Sequence, residues 1–155
     1  MYLTKLRKED VGFALVMTNR LNKILMSQEL SSVGISMGQP QILDYLSVHD
    51  GCIQNDLATH CHLKPASVTS IIANMEEQGL IKRVASIHDK RKIHVYISEE
   101  GKRKRDIIRQ KREEVASKIT KGFTDEEVDI LLNYLDRAFE NLLEHINEEG
   151  ECHNV

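Results

Sequence analysis

The chain is poor in the residues that usually signal chemistry or secretion. Its 155 residues include no tryptophan, only three phenylalanines and four tyrosines, three cysteines and two prolines. No apolar run approaches the roughly 20 residues needed to cross a bilayer. The opening MYLTKLRKED has no apolar core of the kind a secretory leader needs. The expectation is a cytoplasmic protein with no membrane association, in which Cys52, Cys61 and Cys152 are reduced thiols. There is no phosphate-cradling glycine loop, no nucleophile elbow and no pair of metal ligands at helical spacing. Nothing therefore points to an enzyme or to a cofactor. Scarce proline leaves room for long uninterrupted helices.

What is present is charge, unevenly placed. The formal net charge is only −3, which excludes a nonspecific polycation. Lys90, Arg91, Lys92, Lys102 to Arg105, Arg109, Lys111 and Arg112 lie mid-chain, and acids from Asp125 to Glu151 crowd the end. Such asymmetry can hide a basic nucleic-acid footprint inside an acidic total, although solvated helix faces account for most of these residues.

Periodicity divides the rest. From Glu9 to Leu30 the apolar residues Val11, Leu15, Leu21, Ile24 and Leu25 recur at helical spacing, and Phe13, Val16 and Met17 widen the stripe, as for a helix buried on more than one side. Residues 31–34, Ser-Ser-Val-Gly, end it. A second helix follows with Ile42, Leu43 and Leu46 inward, then a turn at Asp50-Gly51 and a minimal strand at Cys52-Ile53. Asn55 to Cys61 reads as a short helix anchored by Leu57 and Ala58. Its start lacks a capping side chain, because Ile53 stands where Ser or Thr belongs. After a turn at residues 62–64, Pro65 sits where a helix best tolerates proline. Val68, Ile71, Ile72 and Met75 then mark one apolar face, and Gly79 supplies the stop. Leu80 to Ala85 and Ile93 to Ile97 are β-rich strands around a polar loop, Ser86 to Lys92. A charged helix runs from Ser98 to Ile119. Thr124 to Glu127 matches a capping box, opening a helix whose broad face carries Val128, Leu131, Leu132, Leu135, Ala138, Phe139, Leu142, Leu143 and Ile146.

Two short helices followed by a stranded hairpin describe a winged helix-turn-helix, which sets one helix in a DNA major groove. With Val68, Ile71, Ile72 and Met75 turned inward, Ala66, Ser67, Ser70 and Asn74 face out. They are small and polar, as a helix entering the groove requires. Ser67, Ser70 and Asn74 can bond base edges. Thr69 lies at the margin, within reach of a phosphate, and the helix start at Pro65 adds N–H groups that favour phosphate oxygens. In the wing, Arg91 suits a narrow A·T-rich minor groove, and Asp89 can hold its guanidinium. Lys90 and Lys92 suit phosphates. The expected binding residues are thus Pro65, Ala66, Ser67, Thr69, Ser70, Asn74, Asp89, Lys90, Arg91 and Lys92, and the expected partner is double-stranded DNA. The terminal helices carry more apolar surface than so small a domain covers, which implies a partner, most simply a second copy about a two-fold axis. Residues 1–35 and 99–155 would then be a helical dimerisation region, flanking a winged helix-turn-helix at 36–98 in a mainly α fold.

The ordered pattern Leu57-Ala58, Ser67-Val68-Thr69, Glu76-x-x-Gly79-Leu80-Ile81-x-Arg83, Asp89-Lys90-Arg91 and Ile97-Ser98-x-x-Gly101 resembles the MarR family of transcriptional regulators. Ser70 stands where an Arg is frequent there, and Ile97-Ser98 replaces Leu-Thr. The resemblance implies a homodimeric DNA-binding regulator, commonly a repressor on a palindromic operator. It implies reading by the Pro65–Gln78 helix and by the wing around Asp89 and Arg91. It also implies release of DNA by a small phenolic or other aromatic effector held between dimer helices and reading head. Phe13, Met17, Arg20, Leu43 and Tyr45 would neighbour such a cleft, each being by default a core or surface residue.

The alternative readings are a winged-helix protein-interaction module and a metal- or thiol-responsive regulator. Neither has strong support in the residues. The family's sensing cysteine belongs to the first helix, where this chain has none. His60-Cys61-His62 cannot converge on a metal from one helix, since i,i+1 and i,i+2 residues do not face each other.

Overall fold

The computed structural model describes residues 6–61, 65–87 and 92–151. A 3-10 turn at Lys8–Asp10 leads into α1 (Val11–Ser31), and α2 (Gln39–Val48) follows a short loop. Then come β1 (Cys52–Ile53), α3 (Gln54–His60), α4 (Pro65–Glu77), β2 (Ile81–Ala85), β3 (Ile93–Ile97), α5 (Glu99–Ile119) and α6 (Asp125–Glu151). Contacts divide the chain into two units, residues 1–115 and 116–155. No described helix is long and apolar enough to cross a membrane.

In the first unit the three strands form one antiparallel sheet in the order β1-β3-β2. Ile81 faces Ile97 and Ala85 faces Ile93 across the hairpin, while Cys52 and Ile53 of β1 pair with Val95 and His94. The core fills the space between this sheet and helices α2, α3, α4 and α5. Ile42, Leu43, Leu46, Leu57, Ile72, Met75 and Val95 are wholly buried, and Leu30, Val68, Leu80, Ile81 and Ile108 nearly so.

Helix ends follow local chemistry. α3 begins at Ile53 with no side-chain cap. α4 ends in a Schellman turn: Gly79, at φ +71°, donates its N–H to the Glu76 carbonyl at 2.9 Å, and Leu80 donates to Met75 at 2.9 Å. Ser98 caps α5 by accepting the Gly101 N–H at 3.0 Å while donating its hydroxyl to the Gly79 carbonyl at 2.6 Å. One serine thus joins the end of α4 to the start of α5.

The second unit consists of the last turn of α5 and α6. Its capping box forms: Thr124 N–H donates to the Glu127 carboxylate at 2.8 Å, and Glu127 N–H donates to Thr124 Oγ1 at 3.2 Å. α6 exposes Leu132, Leu135, Phe139, Leu142, Leu143 and Ile146.

The broad apolar stripe of α1 is left uncovered, in keeping with a terminal helix that carries more apolar surface than a small domain covers: Leu30 is the buried residue of that helix, and Val11, Phe13, Leu15, Val16, Leu21 and Ile24 are exposed. A stripe records the need for cover without saying which molecule provides it.

Candidate nucleic-acid interface

α3 and α4 form the helix-turn-helix, and burial splits α4 along its length. Val68, Ile72 and Met75 are buried. Ala66, Ser67, Thr69, Ser70 and Asn74 are exposed. Ile71 lies at the boundary, partly buried against the core, with its Cδ1 close beside Gly38. Pro65 is the first residue of α4. The Ser70 hydroxyl donates back to the Ser67 carbonyl at 2.9 Å, so neither group stands apart from the helix.

Asn74 is exposed yet tied inward. Gln39, at the start of α2, is the fully buried polar residue of the core. Its amide nitrogen donates to Asn74 Oδ1 at 2.9 Å and to Gln78 Oε1 at 3.0 Å, and its oxygen accepts the Ser36 N–H at 3.0 Å. Periodicity had not marked Gln39 or Gln78. The available signal was that Gln39 precedes Leu43 and Leu46 by four and seven residues, on the apolar stripe of α2.

The wing is braced from α4. Glu76 accepts the Arg83 N–H at 3.2 Å and its Nε–H at 2.7 Å, and pairs with the guanidinium. These bonds hold the Glu76 carboxyl below the usual carboxylate range. Asp50 accepts the Ile97 N–H at 2.8 Å, and Ser86 donates its N–H to the Lys92 carbonyl at 2.9 Å, closing the described end of the hairpin. Ile87 beyond it is 95% exposed. Lys92 is exposed at the base of the wing. Asp89, Lys90 and Arg91 lie outside the described residues, as does the turn expected at residues 62–64.

The basic run of α5 is largely neutralised in place. Asp44 accepts from Arg105 Nε at 3.3 Å and Arg112 Nη1 at 2.7 Å. Lys102 pairs with Glu99, Arg103 with Glu100, Arg109 with Glu113, and Lys111 with Glu114 and Glu29. Lys104 donates to the Val33 carbonyl at 2.6 Å. A charge cluster conspicuous in the sequence therefore serves mainly to join α5 to α1, α2 and itself.

The residues considered for sensing are similarly occupied. Leu43 is core, and Tyr45 stacks on His60 at 5.1 Å and lies 4.5 Å from His49. Burial pushes the Cys52 thiol up to about 11 and also raises that of Cys61, so both are protonated and poorly nucleophilic near neutrality. Among the described residues, no three His, Cys, Asp or Glu side chains gather where a metal could be held. An open recess of about 710 Å³ lies beside α4, lined by Ser27 and Ser31 of α1, residues 34–37, and Ser70, Ile71, Asn74 and Gln78.

A family model for the MarR family matches residues 33–92, which span α2 to the base of the wing. A MarR transcriptional regulator from Methanosarcina mazei Go1 has the same fold at a TM-score of 0.75, with 25% identity over 88% of this chain and 99% of that one. Residues 33–92 match the MarR family, and the chain as a whole shares the fold of MarR regulators. The relatives it matches are HTH-type transcriptional repressors and regulators. Its similarity to the HTH-type transcriptional repressor IacR of Pseudomonas putida is 26% identity over 137 residues, covering 88% of this chain and 82% of that protein. It is also 34% identical over 83 residues to the homoprotocatechuate degradative operon repressor of Escherichia coli, covering 53% of this chain and 55% of the relative. The wild-type apo MarR structure from E. coli shares the fold at a TM-score of 0.75, with 19% identity over 87% of this chain and 98% of that one. In that fold α4 is the second helix of the helix-turn-helix and β2–β3 the wing.

Proposed function

We propose that this protein is a cytoplasmic, homodimeric repressor that binds a palindromic double-stranded operator and leaves it when an aromatic effector binds. The observation that carries the proposal is the split of α4, with Val68, Ile72 and Met75 buried and a small, polar face exposed. Ala66, Ser67, Ser70 and Asn74 enter the major groove, Thr69 and the free backbone N–H groups of the helix start that Pro65 opens meet phosphates, and the wing with Asp89, Lys90, Arg91 and Lys92 lies along the backbone and minor groove. Residues 36–98 read DNA, while 1–35 and 99–155 hold two copies together. Exposed apolar faces on α1 and α6 support that division, since water-exposed stripes of this extent are covered in stable proteins. A relative that represses a homoprotocatechuate degradative operon is in keeping with an aromatic effector.

The test is binding to operators selected from random DNA pools, repeated across a salt series. Neutralised phosphates release counterions, so log affinity should fall linearly with log salt, with a slope of about −0.9 per phosphate contacted. Arg91→Ala should lower affinity by about 1–3 kcal/mol and relax the preference for A·T flanks. Affinity indifferent to salt would overturn the DNA reading, and unchanged affinity in the variant would overturn the role of Arg91.

A further inference from the structure

A buried amide is tolerated only when each of its groups is bonded, and Gln39 meets that condition in one orientation. The Ser36 backbone N–H can only donate, so the Gln39 atom 3.0 Å from it must be the oxygen. The Gln39 NH2 group is then left facing Asn74 and Gln78, at 2.9 and 3.0 Å, and both must meet it with oxygen. The sequence of donors and acceptors thus runs outward from a backbone group that cannot be reversed. Its result is that Asn74 and Gln78, one helical turn apart and both exposed, hold their oxygens inward and their NH2 groups outward.

We infer that Gln39 is a positioning residue that makes Asn74 a hydrogen-bond donor to DNA, so that α4 prefers guanine at the base pair Asn74 faces. The inference rests on the placement of α4 in the major groove proposed above. In that groove guanine alone sets two acceptors, N7 and O6, side by side, where both hydrogens of an NH2 group find partners. Adenine pairs an acceptor with a donor, and a freely turning asparagine bonds it through oxygen and nitrogen together. An asparagine whose oxygen is drawn back to Gln39 loses that geometry. Cytosine presents a donor and is rejected.

Gln39→Glu tests this in nearly the same volume. A carboxylate only accepts, and one receiving several N–H bonds stays ionised. It would satisfy Ser36 as before but force Asn74 and Gln78 to turn round and present oxygens to the DNA. Affinities of the full-length protein are measured for every single base-pair change in its selected operator, for wild type, Asn74→Ala, Gln39→Glu and Gln39→Met. Wild type should favour guanine about tenfold at one position of each half-site, and Asn74→Ala should level that position. Gln39→Glu should move the preference there to adenine or cytosine while other positions keep theirs. Gln39→Met, similar in length but without hydrogen-bonding groups, frees Asn74 to turn and should move the preference from guanine toward adenine. It also keeps the test open where the buried carboxylate prevents folding.

If Asn74→Ala levels a position that both Gln39 variants still read as guanine, the positioning role is overturned and the groove placement stands. If Asn74→Ala alters no position, Asn74 does not read bases and the inference falls with that part of the groove reading. A wild-type preference for adenine or cytosine at the Asn74-dependent position overturns the inference without any variant of Gln39.

Discussion

Gly101→Ala should destabilise the protein even though alanine is the better helix former. Gly101 lies in the first turn of α5 and is buried. A Cβ built on it would stand 2.2 Å from the Leu80 carbonyl oxygen and 2.9 Å from Ile97 Cγ1. The oxygen cannot step aside cheaply. It accepts the Ser98 N–H at 3.0 Å, in the strap that joins α4, β3 and α5. Helix propensity favours the substitution by up to about 1 kcal/mol. Overpacking costs about 1–3 kcal/mol and sits near the top of that range when backbone must move. The net effect is a loss of about 1–2 kcal/mol, or roughly 2–8 °C in Tm for a chain of this length. Gly12→Ala is the matched control, because a Cβ there meets nothing within 4 Å and should be neutral or stabilising. Both variants are compared with wild type by urea denaturation and thermal melting at one protomer concentration, since dimerisation would make stability concentration-dependent. A Gly101→Ala protein as stable as wild type, or more so, would refute the reasoning.

The remaining predictions concern assembly and the thiols. Phe139→Glu with Leu142→Glu should turn the proposed dimer into monomer in sedimentation, without loss of helix, because both side chains are exposed in the single chain; a persistent dimer would remove α6 from the proposed interface. Cys52 should react with iodoacetamide slowly between pH 7 and 8 and accelerate only as pH rises toward about 11, since the thiolate is the nucleophile; reaction at pH 8 as fast as a free thiol would show that burial does not govern it.

The two classes of feature in this chain differ in legibility for a physical reason. Helix and strand positions were readable because their causes are local. The apolar period of α4, the Gly79 stop, the Thr124 capping box and the β-branched strands around the wing each act within a few residues. The small polar face of α4 was readable for the same reason, because a helix that buries Val68, Ile72 and Met75 must turn its other side out. The partners of the α5 cations were not readable, because charge in sequence says nothing of partners in space. Asp44 lies 61 and 68 residues from the arginines it binds.

By itself, then, the sequence determined the order of elements, the winged helix-turn-helix and the small polar face that α4 turns outward, since periodicity and capping are set by neighbours along the chain. Only the tertiary structure decided that Gln39 is buried and bonded to two residues of α4, that Gly101 must be glycine, and that the α5 charges are mostly paired. It also decided that the stripes of α1 and α6 remain exposed in a single chain. Each of these depends on groups brought together across the fold, where a donor's direction or a gap too small for a methyl group has no counterpart in local sequence.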